Sequence, residues 1–86
     1  MSEPVQVVIE IERLHFVYKE MVDREEQCRE SAKNCALRFV LREEEEDAYA
    51  AKRHNDTADA YAMAALLVKT HLLDVVKMGD VQEANP

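Results

Sequence analysis

Residues 7–39 read VVIEIERLHFVYKEMVDREEQCRESAKNCALRF, and this stretch decides the fold. Ten positions in this stretch, beginning at Val7, are separated by a step of four and then by alternating steps of three and four. This spacing is the repeat of a coiled-coil seam. All of them except Glu25 are apolar or cysteine, and the ten are Val7, Ile11, Leu14, Tyr18, Met21, Glu25, Cys28, Ala32, Cys35 and Phe39. We call these positions the seam. Their spacing predicts one helix over about residues 5–41.

A second apolar row runs beside the seam and widens it into the face of a helical bundle. This row contains Val8, His15, Val22, Ala36 and Val40. Residues 5–12 are also rich in β-branched side chains, so a short N-terminal strand is the alternative there. The heptad phase continues unbroken from Val7 into Tyr18 and favours the helix.

Turn-forming residues are nearly absent from the chain. The single glycine is Gly79, and the two prolines are Pro4 and Pro86. Tight β-hairpins and nucleotide-binding loops both need glycine, so this scarcity argues against a multistranded sheet, a Rossmann fold or a P-loop. The sequence predicts an all-α fold, a long helix plus a shorter antiparallel helix, assembled as a dimer or small bundle.

The bounds of the second helix are predicted from polar residues. The acidic run that follows Arg42 is either a solvated part of one long helix or a bend whose acids occupy the first turn of a new helix, with residues 43–53 helical in both cases. Residues 54–57 are the best internal break because Asn, Asp and Thr are N-cap formers. Beyond them, apolar spacing predicts a helix over 57–78, Gly79 as its C′ residue and a flexible tail over 79–86, all within one 1–86 domain.

Helix length then predicts assembly. A single helix over residues 5–53 is about 70 Å long, whereas residues 57–78 span about 33 Å. The shorter helix covers only half of the longer one and leaves the seam from Val7 to about Ala32 without a partner in its own chain. An exposed apolar stripe of this length marks an interface. We therefore expect a homodimer or larger bundle held by the seam, with Glu25 fixing its register.

The charge of the chain limits its partners. Eighteen acids against eleven bases give a net charge of −7. Direct nucleic-acid binding needs clustered Lys and Arg, so we expect none, and a protein with a neutral or basic surface is the expected partner. The segment that would meet it is Glu43, Glu44, Glu45, Glu46 and Asp47, although a solvated helix face is the simpler explanation of this run. The sequence has neither a signal peptide nor a transmembrane segment, which predicts a cytoplasmic protein without membrane contact.

Two features suggest chemistry. Glu12 and His15 have the E-x-x-H spacing of di-iron bundles, but neither of the other two histidines repeats it, so we expect no metal and no other cofactor. Cys28 and Cys35 lie about 10 Å apart along one helix, which is too far for a disulfide within the chain. We expect reduced thiols on the seam, with an interchain disulfide as the alternative. No spacing of Ser and His suggests a catalytic site.

Taken together, these features predict a non-enzymatic protein–protein interaction protein, such as an adaptor, a regulatory subunit or a small inhibitor. Two alternatives remain open. One is an acidic mimic of nucleic acid that inhibits a DNA- or RNA-binding protein. The other is a metal-binding helical bundle, in which a second copy of the chain supplies a second E-x-x-H.

Overall fold

The chain forms a hairpin of two helices. A computed structural model describes the backbone of residues 3–84 and the side chains of residues 5–77. Helix α1 spans Glu3–Arg42 and helix α2 spans Glu45–Ala84, each with 40 residues. The molecule is a rod of 66 × 15 × 12 Å. The all-α prediction and the hairpin are therefore confirmed, but α2 is as long as α1 and is not the shorter helix expected. The alternative of a strand over residues 5–12 is wrong.

The turn lies at Glu43 and Glu44, within the acidic run. Glu43 has a φ of 57°, in the left-handed region, and its N–H donates to the Phe39 carbonyl at 2.7 Å. Glu43 thus occupies the C′ position that glycine usually takes at the end of a helix. Glu45 and Glu46 begin α2, where carboxylates interact favourably with the positive end of the helix dipole. Of the two outcomes considered for the acidic run, the bend is the one observed.

The predicted break over residues 54–57 is wrong, because α2 continues through it. Thr57 does not cap a helix there; its hydroxyl donates to the Arg53 carbonyl one turn earlier, at 3.0 Å. Asp56 pairs with Lys52 at 2.9 Å, also within the helix. These polar groups find partners along an uninterrupted helix, so their N-cap preference does not act.

The predicted stop at Gly79 is also wrong. Helix α2 includes Gly79 and ends at Ala84, so the predicted tail over 79–86 is helical as far as Ala84. A glycine inside a helix costs only about 1 kcal/mol relative to alanine, and it need not end one. Residues 85–86 lie outside the described part.

The two helices are antiparallel and level along their length. Arg29 contacts Asn55 and Asp59, whereas Arg38, nearer the turn, contacts Asp47. In each of these three pairs the two residue numbers add to nearly the same value: 84, 88 and 85. Two residues on opposite helices therefore lie at the same level of the rod when their numbers add to about 86. Helix α2 covers α1 from end to end, and the expectation that residues 7–32 lack a partner in their own chain is wrong.

The core of the hairpin is thin. Among residues 5–77 its buried apolar members are Ala32, Cys35, Ala58 and Ala65, all of them small. Small side chains let the two helices approach closely, but they bury little apolar area. Each helix has only one neighbour, so larger side chains remain half-buried or exposed.

Candidate protein-interaction surfaces

The seam lies in the interface between α1 and α2. Its members from Val7 to Cys28 are half-buried, Ala32 and Cys35 are buried, and Phe39 near the turn is 38% exposed. The sequence thus located the correct face of α1, but its own second helix covers that face. On α2, the half-buried residues Asp47, Ala51 and His54 extend the steps of three and four that begin again at Ala58. This spacing indicates one unbroken helix.

Arg29 links the two helices through three side chains. Its Nε donates to Glu25 Oε2 at 2.9 Å, its Nη1 to Asn55 Oδ1 at 2.8 Å and its Nη2 to Asp59 Oδ1 at 3.1 Å. The pKa of the Arg29 guanidinium is raised above its ordinary value, first by the hydrogen bond to Glu25 and then by that to Asp59. Glu25, the charged member of the seam, therefore has a specific partner within the hairpin.

The acidic segment divides into two parts. Glu43 to Glu46 are all exposed at the turn. Asp47 faces the interior instead, with its side chain 15% exposed and its Oδ1 3.5 Å from Arg38 Nε. Arg38 also donates to the Cys35 Sγ, at 3.0 Å. The surface that the turn presents thus consists of residues 43–46, and Asp47 belongs to the hairpin interface.

The residues considered for chemistry do not come together. Glu12 and His15 are both exposed, His54 is half-buried and His71 is exposed. Across the part of the chain that the structure describes, no three His, Cys, Asp or Glu side chains form a group that holds a metal ion. Both cysteines are free thiols, Cys28 half-buried and Cys35 buried.

One side of the hairpin carries exposed apolar side chains from both helices. We define it as the Arg29 face: the residues that lie in steps of seven from Arg29 and Lys33 on α1, and from Asn55 and Asp59 on α2. Steps of seven return to the same face of a supercoiled helix. A shallow depression lined by these two α1 residues, Lys52 and Asn55 among others confirms that the two sets share one side.

The apolar members of the Arg29 face are numerous toward the open end of the hairpin. On α1 they include Val5, Val8 and Val22, the first two 60% and 52% exposed. On α2 they include Leu66 and Leu73, which are 56% and 51% exposed. The predicted second row of α1, through Val8 and Val22, lies on this face. The apolar residues of α2 on this face repeat at the same seven-residue spacing, but they were not identified from the sequence.

The opposite side of the hairpin is more polar. It carries Arg24, which pairs with Glu20 at 3.7 Å, and its exposed large apolar residues include Val17 and Leu67. In the open half, the Arg29 face thus has more exposed large apolar residues than the opposite side, whereas Ile9 and Phe16 lie on the outer ridge of α1 between the two. Exposed apolar residues that gather on one side differ from the singly scattered ones of an ordinary surface.

Comparison with protein-family models, curated proteins and solved structures found no match to this chain. Within the described residues, neither helix contains an apolar stretch long enough to cross a bilayer.

Proposed function

We propose that the chain is a non-enzymatic protein–protein interaction protein, such as an adaptor, a regulatory subunit or a small inhibitor. In this proposal it acts through helical self-association and through the acidic turn. The observation that carries it is the contrast, within residues 5–77, between a buried core of four small residues and the many large apolar side chains left exposed on both helices. Contiguous exposed apolar surface favours association with another protein surface.

The acidic turn supports a second contact, with an outside partner. Glu43 to Glu46 place four exposed carboxylates at one end of a rod 66 Å long. Such a concentration of charge increases the rate of encounter with a basic surface and opposes association with an acidic one. The expected partner is therefore a protein with a basic patch, and the expected compartment is the cytoplasm.

The turn is tested by neutralising its charge. The four acids of residues 43–46 are changed to Gln, and capture of basic-surfaced proteins from a host extract is compared with wild type at low and high salt. The matched control changes Glu10, Asp23, Glu30 and Asp74 to their amides. These four are exposed and unpaired within residues 5–77, and their loss changes the net charge by the same amount.

The proposal predicts that the turn variant loses a salt-sensitive partner that the control variant retains. Equal loss in both variants would show that net charge alone attracts the captured proteins. Unchanged capture in both would remove the turn from the proposal. Competition of the captured partner by duplex DNA would favour the acidic mimic over an adaptor.

A further inference from the structure

We propose that the Arg29 face is the docking site for a second copy of this chain, which packs antiparallel against it to form a four-helix bundle. This inference rests on the proposed function, because it assigns the face and the orientation of the self-association. It moves that contact away from the seam, which the hairpin itself uses. Exposed surface area, charge pattern and a shared centre of symmetry on the two helices support it.

The hairpin exposes more surface than a monomer of its size normally does. Its accessible surface is 6821 Å² for a 9.9 kDa chain. A typical folded monomer of that mass exposes about 5,200 Å², so the excess is roughly 1,600 Å² per chain. A standard protein–protein interface buries only about 800 Å² on each partner. One docked copy on the Arg29 face therefore accounts for a large part of the excess.

The charges on α1 match those of a second, reversed α1. Glu12, Lys19, Glu26 and Lys33 repeat every seven residues on the Arg29 face with alternating sign, and all four are exposed. An antiparallel copy whose centre lies between residues 22 and 23 places Glu12 against Lys33 and Lys19 against Glu26. Beside the centre, Val22 meets Val22 of the second copy. The same docking therefore makes an apolar contact at its centre and pairs opposite charges on either side of it.

The pattern of charged and apolar residues on α2 has its centre at the same level of the rod. This agreement is independent of the α1 pattern. The cross-helix contacts place Val22 level with about residue 64. Asp59 and Lys69 lie five residues on either side of that position, and Ala62 and Leu66 lie two residues on either side. A reversed copy of α2 therefore pairs opposite charges and packs a large side chain against a small one.

The alternative orientation, with both turns at the same end, brings like charges together. It sets α1 against α2 of the second copy at the same level, so that Lys19 meets Lys69 and Glu26 meets Asp59. It also places the two acidic turns side by side. Like charges across an interface oppose association, and this pattern selects the antiparallel arrangement.

Leu66 and Leu67 provide a matched pair for the test. They are neighbours on α2, 56% and 64% exposed, and only Leu66 belongs to the Arg29 face. Sedimentation equilibrium of the full chain should give twice the 9.9 kDa monomer mass for wild type and for Leu67→Glu, and the monomer mass for Leu66→Glu. We expect Leu66→Glu to weaken dimerisation at least about 100-fold, because a charge is buried on each copy. A wild-type monomer, or equal effects of the two variants, would overturn the inference.

Charge reversal tests the orientation and does not touch the hairpin core. Lys19→Glu and Glu26→Lys should each weaken the dimer about 10-fold, and the double variant should restore it, because both partners of the pair are exchanged. Restoration supports the antiparallel dimer. A Lys19→Glu variant that dimerises more tightly would overturn it, since only the parallel arrangement sets Lys19 against a lysine.

The two proposals fail in different ways. A wild-type monomer that still captures a partner through its turn would end the docking inference and leave the partner contact intact. A dimer with no turn-dependent partner would do the reverse. Helix content from circular dichroism accompanies each mass, and if Leu66→Glu does not fold, the charge series at exposed positions decides the question.

Discussion

The Arg29 guanidinium donates a hydrogen bond to Asn55 Oδ1 at 2.8 Å and joins the two helices in the half of the rod nearer the turn. Its contact with Asp59, at 3.1 Å, reinforces this link. Arg29→Met should lower the melting temperature because it removes both cross-helix contacts and keeps the length of the aliphatic stem. Arg24→Met is the control, since among the side chains of residues 5–77 Arg24 pairs with Glu20 alone, on its own helix. A smaller effect of Arg29→Met than of the control would show that the link does not stabilise the hairpin.

The turn gives a second prediction. Glu43 adopts a left-handed conformation, which costs a non-glycine residue about 1–2 kcal/mol. Glu43→Gly should therefore stabilise the hairpin by roughly 0.5–1 kcal/mol in urea denaturation, once the greater freedom of glycine in the unfolded chain is subtracted. Glu44→Gly has no such strain to relieve and should destabilise. Stabilisation by both variants would contradict this account of the turn.

The unbroken α2 gives a third prediction. Thr57 and Thr70 both donate their hydroxyls to the carbonyl four residues earlier, at 3.0 and 2.9 Å. Each Thr→Ala variant should keep or raise stability by up to about 0.5 kcal/mol, because alanine is the better residue in a helix interior. If Thr57 instead capped a helix, Thr57→Ala would lower stability by about 1 kcal/mol while Thr70→Ala would not. Chemical denaturation of the two variants separates these results by sign.

The narrow core gives a fourth prediction. Ala58 is fully buried, whereas Ala60 on the same helix is exposed. Ala58→Leu should force the helices apart and cost about 1–3 kcal/mol, which thermal unfolding detects as a drop of several degrees. Ala60→Leu should leave stability nearly unchanged. An equal, small effect of both would show that the helices do not approach as closely as the structure has them.

The sequence predicted α1 well and α2 poorly, for physical reasons. Helix α1 was expected over about residues 5–41 and spans Glu3–Arg42, because its seam repeats through the whole length. The turn remained one of two outcomes for the acidic run because Glu43 takes the role of glycine, so the usual signal is missing. Residues 54–57 resemble an N-cap in isolation, but the three-four spacing of buried and half-buried residues on α2 runs through them. Packing of that face against α1 outweighs the local preference.

The candidate surfaces were predictable in part. The second apolar row of α1 is visible in the sequence, and it lies on the Arg29 face. Its α2 half could be aligned with it only after the register of the hairpin was known, since that register depends on the turn and on the contacts of Arg29. The position of Asp47 in the hairpin interface was not predictable, because its pairing with Arg38 is a tertiary contact.

The distance between identical positions in two copies tests the docking most directly. Nitroxide labels are placed singly at Asp23 and at Leu37, two heptads apart on α1 and both exposed, with Cys28→Ser and Cys35→Ala as background. Pulsed dipolar spectroscopy should give an intercopy distance of about 20 Å for Asp23, close to the proposed axis, and about 45–50 Å for Leu37, which the reversed copy carries to the far side. Equal distances at the two positions, or no dipolar coupling at either, would contradict antiparallel docking through the Arg29 face.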